Sequence, residues 1–133
     1  MTLNNMAMVH GTKGNYDEAL DFYDRALTIY ETTLGPDHAS TAKTRNNMAM
    51  VHENKGNYDE ALALYKRALT IYETTLGPDH ADTLQTKMNQ TIVFQKLGDP
   101  DSLTKAEIIY EEITPIYRKN FGDKHLSTLN AEY

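Results

Sequence analysis

The stretch Asn47–Ala81, NMAMVHENKGNYDEALALYKRALTIYETTLGPDHA, decides the fold, because Asn5–Ala39 spells nearly the same words 42 residues earlier. Of the 35 aligned positions only five differ, Gly11/Glu53, Thr12/Asn54, Asp21/Ala63, Phe22/Leu64 and Asp24/Lys66, so 30 agree. A fixed period between about 20 and 50 residues marks an array in which each unit buries its apolar face only against its neighbours. A worn third copy follows. Asn89–Gly98 lies 42 residues after Asn47–Gly56, and beyond Gly98 the offset becomes 45, so that Ala106, Tyr110, Tyr117, Gly122 and His125 answer Ala61, Tyr65, Tyr72, Gly77 and His80. The three extra residues are expected in the turn around Asp99–Ser102.

Within the unit, punctuation and periodicity predict two helices in a tight hairpin. Tyr16, Ala19, Leu20, Tyr23, Ala26, Leu27, Tyr30 and Leu34 recur every three or four residues, a helical stripe. Ala19 and Ala26 leave room for a close helix crossing. Gly14 stops the first helix, because glycine takes the left-handed conformation past a helix end without steric cost. Asn15 with Glu18, and Asn57 with Glu60, have the spacing of a capping box. In Leu34-Gly35-Pro36-Asp37-His38, repeated as Leu76-Gly77-Pro78-Asp79-His80, glycine and proline end the hairpin and the aspartate is the expected cap of the next helix.

These signals predict a first helix over Met1–Lys13, then helices from Asn15, over Ala39–Lys55, Tyr58–Leu76, Ala81–Leu97 and Leu103–Phe121, and a short seventh over His125–Tyr133. The approximate units are 1–36, 37–78 and 79–122 of a single array 1–133, with 123–133 a partial cap or the start of a fourth unit. The N-terminus lacks the turn that precedes the second copy, as expected of a piece cut from a longer array or of an uncapped end. Pro115 stands where Thr70 stood, inside the last long helix, and predicts a kink or break near residues 111–115.

Composition narrows the function. A net charge of −6 and a pI near 5.3 argue against a nucleic-acid backbone as partner, which demands a cationic footprint. No apolar run approaches the roughly 18 to 20 residues of a membrane span, and no export signal is visible. The absence of cysteine excludes disulfides and thiolate metal sites and fits a reducing, cytoplasmic compartment. His38, His80 and His125 recur once per turn and His10 and His52 once per first helix, too far apart to share an ion, so capping or packing is expected of them. Carboxylate pairs such as Asp17-Glu18 and Glu111-Glu112 lie on solvated faces, and phosphate-cradling glycine loops are absent. Neither an enzyme, a cofactor nor a metal is expected.

The Asn-Met-Ala-Met-Val-His and Gly-Asn-Tyr-Asp-Glu-Ala-Leu runs, the Tyr23/Ala26 and Tyr65/Ala68 pairs and the Leu-Gly-Pro-Asp-His turn resemble the tetratricopeptide repeat family, in its 42-residue variety found in kinesin light chains. The resemblance implies an all-α, right-handed superhelical solenoid of antiparallel helix hairpins, with first helices lining a concave groove that binds peptides or partner helices. The family's groove positions fall on Asn5, Asn47 and Asn89; on Asn4, Asn46 and Met88; on Met8, Met50 and Ile92; on Lys43 and Gln85; and on Thr12, Asn54 and Lys96. The chemistry of that set is coherent. A carboxamide both donates and accepts, so an asparagine ladder suits an extended backbone, while methionine adapts to apolar anchors. One variant of the family clamps a terminal carboxylate with cations and amides. Asn4, Met8 and Gln85 stand at positions where that clamp needs its partners, so chaperone-tail recognition is not expected.

Two readings compete with groove binding. The repeated asparagines and methionines could cap, solvate or fill the helix seam, since duplication repeats any residue. The whole chain could instead be an architectural segment, a homodimer joined through exposed solenoid ends, or the sensor array of a larger signalling protein.

Overall fold

A computed structural model describes Met6, Met8 and residues 14–121, and among these every regular element is a helix. The elements are α1 (Tyr16–Thr33), α2 (Ala39–Lys55), α3 (Tyr58–Thr75), α4 (Ala81–Leu97) and α5 (Pro100–Phe121). Each packs chiefly on the helix before and after it in sequence, as hairpins stacked into a superhelical solenoid do. The helices expected over Met1–Lys13 and His125–Tyr133 fall largely outside the described residues; Met6 and Met8 are helical.

The core is a chain of small clusters, one per helix junction. Ala19 and Tyr23 of α1 meet Met48 and Val51 of α2. Ala42 of α2 meets Ala68, Ile71 and Tyr72 of α3. Ala49 of α2, Ala61 and Tyr65 of α3 and Val93 of α4 form the junction between successive hairpins, and Leu84 and Met88 of α4 close on Ile113 and Tyr117 of α5. The alanines singled out by spacing are thus the close-approach points. Ala19, Ala61 and Ala68 are fully buried, where a longer side chain would push the helices apart.

The turns repeat as closely as the helices. Gly56 and Gly98 take φ of 85° and 74°, the left-handed region that glycine enters freely. Beyond α1 and α3, the buried hydroxyls of Thr41 and Thr83 each donate 2.8 Å to the carbonyl of Gly35 and Gly77.

Four local expectations are corrected. The caps of α2 and α4 are His38 and His80, not the preceding aspartates: Nδ1 of each imidazole accepts from the backbone N–H of Ser40 (3.0 Å) or Asp82 (3.1 Å). This also gives those two histidines the capping role expected of them. Asn15 and Asn57 occupy the N-cap positions of α1 and α3 but make no side-chain capping bond, because their ψ of 67° and 69° lies short of the extended conformation that aims the oxygen at the first turn.

The three inserted residues lengthen a helix, not a turn. α5 starts at Pro100, two residues past Gly98, as α3 starts two past Gly56, and it runs 22 residues against 18. Asp99 starts it: its carboxylate accepts from the Ser102 hydroxyl (2.6 Å) and N–H (3.1 Å), and Pro100 needs no donor at a first position. Of the kink or break expected near Pro115, the break is absent, since α5 continues through it. Pro115 and Glu111 are both exposed residues, which puts the turn that loses an N–H donor on the solvent side of α5.

Three of the buried rings fix a pH response. Burial pushes the phenols of Tyr23 and Tyr72 up to about 12; Tyr65 is raised further, by burial first and then by the Glu53 carboxylate. A raised folded value means the stabilisation is complete below the ordinary value of 10.0 and drains away as pH rises through the folded ones. An alkaline titration followed by circular dichroism and tyrosinate absorbance is expected to show the helical signal constant to about pH 10, then lost together with the late ionisation of these rings. Independent, early ionisation without helix loss would contradict their burial.

Candidate functional site

The first helices of the second and third units present matching stripes. On α2, Lys43, Asn47, Met50 and Asn54 follow at spacings of four, three and four, and so do Gln85, Asn89, Ile92 and Lys96 on α4. Lys43, Met50, Asn54, Gln85 and Lys96 are exposed, Asn47 and Ile92 half-buried. Behind the stripe α2 buries Ala42, Met48, Ala49 and Val51 in the hairpin junctions. Met8, exposed at 54%, is in register with Met50, whereas Asn5 lies outside the described residues.

Several of these side chains are already engaged. Oδ1 of Asn46 accepts from the Thr86 hydroxyl of the next unit at 3.2 Å. Lys96 Nζ lies 2.7 Å from Oε2 of Glu53, whose Oε1 accepts from the Tyr65 hydroxyl at 3.1 Å. Asn89 is only 8% exposed: its Oδ1 accepts from Nε2 of Gln85 at 3.0 Å, while its own Nδ2 is shielded and has no partner. A buried amide donor left unpaired costs about 1–3 kcal/mol. Asn47 makes no side-chain hydrogen bond to another described residue. Met88, placed on the groove by the resemblance, is 1% exposed and belongs to the core with Leu84, Ile113 and Tyr117.

Glu53 is the residue that the repeat comparison passed over. It links three helices, receiving Tyr65 from α3 and Lys96 from α4 while standing on α2 itself. Its signal was present, as one of the five positions where the copies differ, with Gly11 opposite. The stripe holds amides, thioether and ammonium; a nucleophile paired with a base is missing from it, and no group of three metal-ligating side chains occurs among the described residues. No described helix is long and apolar enough to cross a membrane.

A sequence model described as tetratricopeptide repeat matches residues 1–74 and again 40–102. Among solved structures, BtubC (BKLC) from P. vanneervenii superposes with a TM-score of 0.79 at 23% identity, over 91% of this chain and 46% of that one. A kinesin light chain from Podosopora anserina with nearly identical TPR-like repeats gives 0.78 at 21% identity, over 90% of this chain and 55% of that one. This chain therefore spans about half the length of the structures it resembles. No curated protein matches it in sequence.

Proposed function

Because this chain belongs to the tetratricopeptide repeat family, we propose that it is a non-enzymatic interaction scaffold which holds an extended peptide or partner helix against the exposed face of α2 and α4. Arrays of this family mediate contacts between proteins. The observation that carries the finer reading is the doubled stripe. Lys43–Asn47–Met50–Asn54 and Gln85–Asn89–Ile92–Lys96 repeat one spacing on successive first helices, with asparagine and then an apolar residue at the two central positions and a cation and an amide exchanged between the outer ones.

Asn47 offers a carboxamide to a peptide backbone without first giving up a partner. Asn89 becomes available when the exposed Gln85 side chain swings aside, and a ligand carbonyl then relieves its unpaired Nδ2. Met50 and Ile92 supply apolar anchor points beside the amides, and Lys43 a cation one turn before Asn47. Engaging Lys96 requires competition with Glu53. A polypeptide fits this set and a nucleic acid does not, given the net charge of −6. Neither cofactor nor metal has a part in it. The absence of cysteine and of a membrane-spanning helix among the described residues supports a cytoplasmic location.

The test is the double change Asn47→Ala with Asn89→Ala, measured against a peptide selected from a random library on the unaltered protein. Affinity is expected to fall at least about tenfold, with the thermal midpoint unchanged, because Asn89 surrenders an orphaned donor and Asn47 a solvated one. Equal affinity in the two proteins rules out the amide ladder.

A further inference from the structure

The stripe on α2 and α4 carries two cations in unequal states. Lys43 is exposed and makes no ion pair or side-chain hydrogen bond among the described residues. Lys96, with 42% of its side chain exposed, lies 2.7 Å from Oε2 of Glu53, whose own side chain is only 13% exposed. Glu53 does not turn away freely, because its other oxygen accepts from the hydroxyl of Tyr65, a ring with no exposed surface. The carboxylate is thus anchored in the hairpin junction and holds a flexible ammonium at the surface.

The repeats support reading acid and base as one device. Glu53 belongs to the second unit and Lys96 to the third; one unit earlier the same two positions are Gly11 and Asn54, both uncharged, so the two charges enter together. For a ligand the pair is discriminating. A carboxylate arriving beside Lys96 must take the ammonium from Glu53, leave a mostly buried charge with the Tyr65 hydroxyl alone, and remain close to it as a like charge. An uncharged side chain does none of this.

We infer that Glu53 is a specificity-determining residue of this face: by neutralising Lys96 it excludes acidic side chains of a bound peptide from that position, while leaving them admissible beside Lys43. The inference rests on the peptide-binding reading of the stripe and adds a charge polarity to it. Selectivity comes from a penalty on the wrong ligand, not from an added contact to the right one.

Random peptide libraries selected on four proteins test it: unaltered, Glu53→Gln, Lys96→Gln and the double variant. Glu53→Gln keeps an acceptor oxygen for Tyr65, and Lys96 is partly exposed, so each should retain its helical circular dichroism. Peptides from Glu53→Gln should gain an acidic residue, those from Lys96→Gln a basic one, and those from the double variant should return to the original pattern. In an aspartate scan of a peptide selected on the unaltered protein, one position should cost that protein at least about tenfold in affinity and cost Glu53→Gln far less, the gap narrowing in high salt. Glu60→Gln makes the same change of net charge on α3 and should leave the scan unaltered. A merely structural ion pair would move stability without moving these preferences. One charge preference in all four proteins, or a scan changed equally by Glu60→Gln, overturns the inference and leaves the stripe standing when the same peptides weaken on Asn47→Ala with Asn89→Ala. Peptides indifferent to that double change bind elsewhere and overturn both readings.

Discussion

Replacing Tyr65 with alanine is expected to cost about 3–5 kcal/mol, the usual loss for truncating a buried aromatic ring. The ring is 0% exposed and sits where α2, α3 and α4 meet, against Ala49, Ala61 and Val93. Its fully buried neighbours there are two alanines and a valine, with the partly buried Tyr58, Leu62 and Leu64 packed against them, so the void is filled only as far as those larger side chains can shift. The hydroxyl adds to this, since removing it leaves the Glu53 carboxylate with Lys96 alone. Tyr65→Phe separates the contributions: it keeps the packing and should cost about 1 kcal/mol. In a linear array the damage falls on the coupling between the second and third hairpins. The unfolding transition should therefore broaden or split as the midpoint drops. A single sharp transition shifted by less than about 1 kcal/mol would mean the junction is not held by this ring.

That junction was legible in the sequence in a way that the caps were not. The Ala–Tyr spacing of four residues, repeated at 19/23, 61/65 and 106/110, places a small residue and a large one on the same helix face. Such a pattern survives any adjustment of helix ends. Capping is decided by two backbone angles at one residue. Asn57 has the right side chain, but its ψ of 69° keeps the oxygen from the first turn, while His38, seldom considered as a cap, sits at ψ 147° and reaches Ser40 through Nδ1. Likewise Pro115 signals a lost hydrogen bond without saying whether the helix ends there, and α5 runs on through it with Glu111 on the exposed side.

The candidate site was half legible for a related reason. Helical spacing puts Lys43, Asn47, Met50 and Asn54 along one face of α2, and Gln85, Asn89, Ile92 and Lys96 along one face of α4. Whether an amide is spent depends on what stands beside it in the next unit. Asn46 meets Thr86, and Asn89 meets Gln85 one turn back, neither of which the repeat pattern weighs. The two copies also differ where it matters: Glu53, absent from the first unit, draws Lys96 away from the open surface. Divergence between near-identical repeats is thus the better guide to individual chemistry, and identity the better guide to the scaffold.

The buried cations follow the same logic and carry the second large effect. Arg45 and Lys87 occupy equivalent positions, at 3% and 6% exposure, but their counter-charges come from different places. Arg45 reaches back to the first hairpin, donating to the carbonyl of Pro36 at 3.0 Å and lying 3.5 Å from Glu31; Asp37 in the turn before α2 also attracts it, whereas Arg67 on α3 repels it. In the third unit the place of Arg67 is taken by Glu112, and Lys87 pairs with it inside its own hairpin. Glu112→Ala leaves the ammonium of a buried lysine without its counter-charge. Such a loss runs to about 3–5 kcal/mol for a fully enclosed pair, and about 2–3 kcal/mol is expected here, because Glu112 is 52% exposed and part of the attraction is already screened by water. Lys87→Met combined with Glu112→Gln removes the ammonium along with its partner and should recover most of the stability. Chemical denaturation of the three proteins decides the matter. If the single change costs no more than the double one, the ion pair is a surface contact, and the α4–α5 hairpin rests on Leu84, Met88, Ile113 and Tyr117 alone.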